Sequence, residues 1–243
     1  MSKIFDAYKK KASQSPTGRP SELAAEIGQV GTITLFPSPA GNQSEDFNKL
    51  ANRILGLRRD ERGSVLAFGS SAAGEGASFV SYNTALVLSR IYHQKVVWID
   101  GNFLSPQKKL IGHSTNTFSG LLQDPARVED MVMSENPMLI EGGSDLMGAK
   151  GRLADRNYSE LLTALTKKFD FVILDLPPVL NSTDTALMAE SADGFLLVIE
   201  QKFLKREVIE HGLQGLREKN VRLLGSVINR RTFELPKVIY NRL

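Results

Sequence analysis

The sequence predicts a three-layer α/β/α domain built on a mostly parallel sheet. Two observations carry this reading. Short runs that are apolar on both faces recur between Ser64 and Arg230, the pattern of strands covered by helices on either side. Between those runs lie segments with apolar residues at helical spacing, so strand and helix alternate along the chain.

The runs are Val65 to Phe68, Val96 to Ile99, Met138 to Glu141, Phe171 to Leu174, Phe195 to Ile199 and Leu223 to Ile228. Helices are expected at 77–92, 157–168, 183–191 and 204–218. Ahead of them Ser44 reads as an N-cap, because Phe47, Leu50, Ile54 and Leu57 behind it form one apolar face. From Ser13 to Gln43 the chain reads as a linker: Pro16, Pro20, Pro37 and Pro39 interrupt any long element and leave room for one short strand at Thr32 to Phe36. Ile4, Phe5, Tyr8 and Ala12 stand at helical spacing among Lys3, Lys9, Lys10 and Lys11, which predicts a short amphipathic helix. The expected organisation is an N-terminal helix with a Pro/Gly/Ser-rich linker over 1–43, then one domain over 44–243.

Composition narrows the function. The chain has 243 residues, 30 Lys plus Arg against 27 Asp plus Glu, and no cysteine. A disulfide scaffold, Cys-ligated zinc and thiol catalysis are thereby excluded. No apolar run approaches the roughly 18 residues that span a bilayer, and Met1 to Lys11 carries charge where a signal peptide needs an apolar stretch. The expectation is a cytoplasmic protein. Its net charge of +3 is spread along the chain, leaving no footprint for nucleic acid. His93, His113 and His211 share no spacing that suggests a metal site or a triad, and Lys202, Lys205, Arg206, Arg230 and Arg231 read as solvated positions.

Chemistry enters after the first strand of the alternation, where Gly69-Ser70-Ser71-Ala72-Ala73-Gly74-Glu75-Gly76-Ala77-Ser78 leads into a helix. A turn of small residues between strand and helix lets successive backbone N–H groups point into one concavity, and the helix N-terminus adds positive potential for phosphate. The usual pattern of such a P-loop places Lys and then Ser or Thr after the last Gly. Ser78 is present, but Ala77 stands where the lysine belongs. Two later strands, Val96-Val97-Trp98-Ile99-Asp100 and Phe171-Val172-Ile173-Leu174-Asp175, each end in a carboxylate. In a parallel sheet those ends share an edge with the turn, so Asp100 and Asp175 converge near Ser78. A hydroxyl and two carboxylates beside phosphate form a hard-oxygen arrangement suited to Mg²⁺.

In this order GSSAAGEGAS, VVWIDGN, FDFVILDLPPVL and GSVINR resemble the cytoplasmic tyrosine-kinase domains of bacterial polysaccharide export systems. These are the BY-kinases, or CpsD/CapB group, in the MinD/ParA-like branch of the P-loop ATPases. The resemblance runs from Ser44 to Arg230, and Met1-Ser2-Lys3-Ile4-Phe5 resembles the start of the exosortase-associated members. It implies a P-loop NTPase-like fold with ATP or ADP and Mg²⁺ as cofactors. Gly74, Glu75, Gly76, Ala77, Ser78 and Asn229 would then contact nucleotide, Asn229 at the adenine. Ser78, Asp100 and Asp175 would hold the metal, with Asp100 and Asp175 as the catalytic carboxylates. Tyr240 is the phospho-acceptor candidate. The implied partner is the cytoplasmic segment of a membrane polysaccharide co-polymerase, Wzz/Wzc-like, which would hold the chain peripherally at the inner membrane.

Several family positions differ. Ala73 replaces a proline, Ala77 the P-loop lysine and Asn102 the second aspartate after Asp100. Beside Glu45, Asn48 and Ala51 replace two arginines that link neighbouring subunits, so oligomerisation is expected to be reduced. Losing a charge-assisted hydrogen bond to phosphate removes about 1.5–3 kcal/mol, roughly 10- to 150-fold in affinity. Catalysis falls further, because positioned cations also stabilise the transition state. Arg53 and Lys95 are candidates for a substitute cation. The sequence thus reads as a degenerate, non-catalytic BY-kinase-like subunit regulating capsule or exopolysaccharide assembly. Two alternatives stand beside it: an active Mg-ATP-dependent tyrosine autokinase, and a MinD/ParA-like spatial organiser.

Overall fold

The computed structural model describes residues 32–34, 43–57, 62–102, 116–143, 146–201 and 205–230. The helix expected at the N-terminus, His113, Lys202, Arg231 and Tyr240 lie outside these residues. Among the described residues seven strands form one sheet: β1 (Thr32–Thr34), β2 (Ser64–Ser70), β3 (Val96–Asp100), β4 (Met138–Ile140), β5 (Phe171–Asp175), β6 (Gly194–Glu200) and β7 (Leu223–Asn229). Their order is β1-β7-β6-β2-β5-β3-β4, and every neighbouring pair is parallel. The helices are α1 (Gln43–Leu57), α2 (Ala77–Arg90), α3 (Phe118–Gln123), α4 (Arg127–Asp130), α5 (Leu146–Leu153), α6 (Arg156–Lys168), α7 (Asp184–Glu190) and α8 (Arg206–Glu218).

Strand alternation sorts the core into two layers. Val65, Ala67, Val97, Ile99, Val172 and Leu174 pack with α3, α6 and α7 on one face. Leu66, Phe68, Val96, Trp98, Phe171 and Ile173 pack with α1 and α2 on the other. Successive residues of one strand therefore enter different cores, and this is why the runs are apolar throughout. The three-layer expectation holds.

Three details differ from the sequence reading. Helix α1 starts at Gln43, so Ser44 lies within its first turn and is not the N-cap. Its buried stripe stops at Ile54, and Leu57 is 40% exposed. Helices α3, α4 and α5 were not expected: six and four residues are too few for α3 and α4 to establish a periodicity, and Gly148 and Gly151 interrupt α5. The short strand in the proline-rich segment does form, and it joins the main sheet: Thr32–Thr34 pairs with Ser226, Val227 and Ile228 of β7. Position 51 also has a structural explanation. Ala51 is fully buried in the core shared by α1, α2 and the sheet.

An arginine at that position would force an unpaired charge into a filled core. Ala51→Arg is expected to lower the unfolding free energy by about 2–5 kcal/mol, read as an earlier urea midpoint. Asn52→Arg, on the exposed side of the same helix, should stay within about 0.5 kcal/mol of the parent.

Candidate functional site

Because all strands run parallel, their C-terminal ends share one edge, and the turn from β2 to α2 lies there. The turn is Ser71 to Gly76, with Ala77 the first residue of α2. Gly74 (φ 97°) and Gly76 (φ 89°) are both left-handed, a conformation glycine adopts without a steric penalty. At Gly76 a Cβ would collide with Nδ2 of Asn229. As the N-cap of α2, Gly76 brings no side chain to the first N–H groups of the helix. Those donors and the backbone of the turn border one cavity.

A buried carboxylate holds the turn. Glu75 is fully buried, its Oε2 accepting from the Ala72 N–H (2.8 Å) and its Oε1 from the Glu200 N–H (3.2 Å). Burial pushes its pKa up to about 7, against backbone donors that pull it down. Asn229, at the end of β7, donates through Nδ2 to the Glu75 carbonyl (2.9 Å). On the other side the chain after β5 is stitched to the turn, Val179 N–H to Ser70 O (2.8 Å) and Leu180 N–H to Ser71 O (3.2 Å).

Asp100 and Asp175 are register partners on β3 and β5, with 1% and 0% exposure. Asp100 Oδ1 accepts from the Asn102 N–H (3.0 Å). Asp175 Oδ1 accepts from the Ser81 hydroxyl (3.3 Å), while its Oδ2 is buried without a hydrogen-bond partner. Burial raises the Asp175 pKa to about 8, Ser78 and Ser81 pull it down, and the charge of Asp100 raises it. A buried oxygen without a partner, a second carboxylate alongside and the Ser78 hydroxyl form a hard-oxygen donor set that fits Mg²⁺. When bound, that ion would supply charge neutralisation at phosphate oxygens.

The cavity has a volume of about 420 Å³, within the range of small-molecule clefts. Of the expected residues, Gly74, Gly76, Ala77 and Ser78 line it, and Asn102 does too. Glu75, Asn229, Asp100 and Asp175 do not line it. Asn229, expected at a nucleobase, has its amide nitrogen on Glu75 and its Oδ1 on the Arg230 N–H (2.9 Å), so it braces the turn. Neither expected substitute cation is here. Arg53 is exposed on α1, and Lys95 precedes β3 at the opposite edge of the sheet. Arg230, read as a solvated position, is the one charged residue among the described residues that line the cavity. Its place immediately after the last strand was the available signal, since that puts it on the same edge as the turn.

The raised pKa of Asp175 sets a pH dependence. Between 3.8 and about 8 the folded state keeps a proton that the unfolded chain releases. The stabilising contribution is therefore complete below 3.8 and is lost as pH rises through about 8. Asp175→Asn should flatten that decline in metal-free buffer, measured as urea midpoints across the window. An unchanged slope would mean that Asp175 is ionised in the folded protein at neutral pH.

Comparison with known proteins agrees with this geometry. The AAA domain family model (AAA_31) matches residues 63–225. The chain is 26% identical over 197 residues to tyrosine-protein kinase CpsD of Streptococcus agalactiae serotype III (strain NEM316), covering 79% of this chain and 84% of that protein. Among solved structures, the chimerical protein CapA2B2 superposes with a TM-score of 0.72 at 21% identity, over 87% of this chain and 99% of the other. The kinase domain of the Escherichia coli tyrosine kinase ETK gives a TM-score of 0.70 at 19% identity, over 91% and 99%. The chain belongs to the AAA-domain family of P-loop nucleotide-binding proteins, and within it is similar to the bacterial tyrosine-protein kinases.

Proposed function

We propose that the protein is a degenerate, non-catalytic tyrosine-kinase-like subunit that regulates bacterial capsule or exopolysaccharide biosynthesis. In this reading it acts with a membrane polysaccharide co-polymerase, which holds it at the inner membrane. One observation carries the proposal: an otherwise complete phosphate-shaped turn opens α2 with Ala77, in the position from which a lysine would reach the terminal phosphates. Gly74, Gly76, Ala77 and Ser78 would contact a nucleotide, and Ser78, Asp100 and Asp175 its Mg²⁺. Glu75 and Asn229 would act by holding the turn. Without the lysine, binding is weak and phosphoryl transfer is lost.

The second reading, an active Mg-ATP-dependent tyrosine autokinase, draws support from the buried pair Asp100 and Asp175 behind the cavity. Radiolabelled ATP with Mg²⁺ separates the two, in the presence of a co-polymerase cytoplasmic segment. No label is expected, and robust label on Tyr240 would establish the active enzyme. Light scattering behind a sizing column should give a monomer or dimer, because Asn48 lacks the charge that would pair neighbouring subunits in a ring and Ala51 is buried in the chain's own core. A stable octamer-sized species would overturn that part of the reading.

Nucleotide binding itself can be followed through Trp98, the single tryptophan of the chain. Its indole N–H donates to Ser81 Oγ (3.0 Å), and Ser81 reaches Asp175 Oδ1 (3.3 Å). A metal–nucleotide complex at Asp175 therefore perturbs the fluorophore through one intervening side chain. Titration with Mg-ADP should give a saturable change, with a dissociation constant in the high micromolar to millimolar range, about −4 to −6 kcal/mol. Ala77→Lys should tighten it.

A further inference from the structure

We propose that Arg230 supplies the positive charge at the ligand phosphates that Ala77 cannot, so that the cation of this site comes from the end of β7 and not from the start of α2. The inference rests on the reading that the cavity takes a nucleoside di- or triphosphate.

Four observations support it. Arg230 is the one charged residue among the described residues lining a cavity whose other walls are small residues, the amides Asn102 and Asn181, and Leu176 with Pro178. Its guanidinium is at the rim of the turn itself, Nη1 lying 3.3 Å from the Gly74 carbonyl. Its backbone is fixed to that turn: the Arg230 N–H donates to Asn229 Oδ1 (2.9 Å), and Asn229 Nδ2 donates to the Glu75 carbonyl (2.9 Å). A left-handed backbone (φ 51°), uncommon for a residue with a Cβ, sets the direction from which the side chain leaves β7.

Glu200 pairs with the guanidinium in the meantime, Oε2 at 3.2 Å from Nη1. With Arg230 57% and Glu200 21% exposed, that ion pair is screened and readily exchanged. A guanidinium has five N–H donors in a planar fork that matches phosphate oxygens, so it can engage a phosphate without a lysine's reach along the helix. Arg53 and Lys95 offer no such contact, being on α1 and at the opposite sheet edge.

Calorimetry with Mg-ADP on the full chain tests this in four proteins: the parent, Arg230→Gln, Ala77→Lys and the double variant. Arg230→Gln should weaken binding about tenfold or more. In the Ala77→Lys background the same change should have a smaller effect, because the restored lysine makes the arginine redundant. A residue that only braces the turn would lose the same factor in both backgrounds. That result, or parent-like binding by Arg230→Gln, overturns the proposal and leaves the nucleotide reading intact. Binding by Ala77→Lys but not by the parent also overturns it, since Arg230 would then not be serving. No binding by any of the four up to several millimolar (roughly the affinity floor of a specific site) removes both the proposal and the nucleotide reading. Two further variants keep the test independent of folding defects in Arg230→Gln. Arg230→Lys should retain most of the affinity, and Glu200→Gln, which frees the guanidinium, should tighten it; a loss in both counts against the proposal.

Discussion

The cavity exists because a buried carboxylate fixes the turn that shapes it. Glu75 has no access to solvent, and its two oxygens accept from one N–H inside the turn and one on β6. Its own carbonyl takes the amide of Asn229 from β7. A single residue thus ties three separate stretches of backbone together, none adjacent in sequence. The left-handed glycines on either side of it allow the path, but permission is not rigidity. The rigidity comes from hydrogen bonds in a low-dielectric setting, where an unmade bond leaves a buried polar group unsatisfied.

Shape and charge are carried by different groups at this site. Ala77 opens α2 without a charge, and Asn102 donates its N–H to Asp100. Shape and charge are separable because the turn is held from behind by Glu75 and Asn229, while its cavity face is backbone and small residues. The carboxylates at the back show the converse: Asp100 and Asp175 are so deeply buried and so close that one of them holds its proton to about pH 8, a condition that a divalent cation would relieve.

Much of the fold could be read directly from residue order. Runs such as Val65 to Phe68 and Phe171 to Leu174 are apolar on both faces, and only a strand between two helical layers uses that pattern. Once the strands are parallel, Asp100, Asp175 and the glycine turn must share an edge, so the site's skeleton followed from one-dimensional information. Three-dimensional partners did not. Arg230 looks like any charged residue after a strand until β7 is located beside β6, two strands from the turn. Asn229 and Glu75 pair across 154 positions, and no local pattern announces such a pairing. Ala51 resembles a lost surface contact in sequence and is a core residue in space. Short helices such as α3 were illegible for a different reason, because they end before a periodicity can be established.

The edge strand β1 gives the molecule a mechanical property. Three residues join it to β7 in parallel register, Thr34 lying level with Ile228, one residue before Asn229. Tension applied to the chain ahead of Thr32 is therefore borne by the backbone bonds to β7 before any other strand feels it. Strand β7 ends in the residues that brace the glycine turn, so load entering through β1 is passed along β7 toward the rim of the cavity. A pull ahead of Thr32 loads first the end of the pairing level with Ser226, and reaches the anchor of Arg230 beyond Ile228 only along β7.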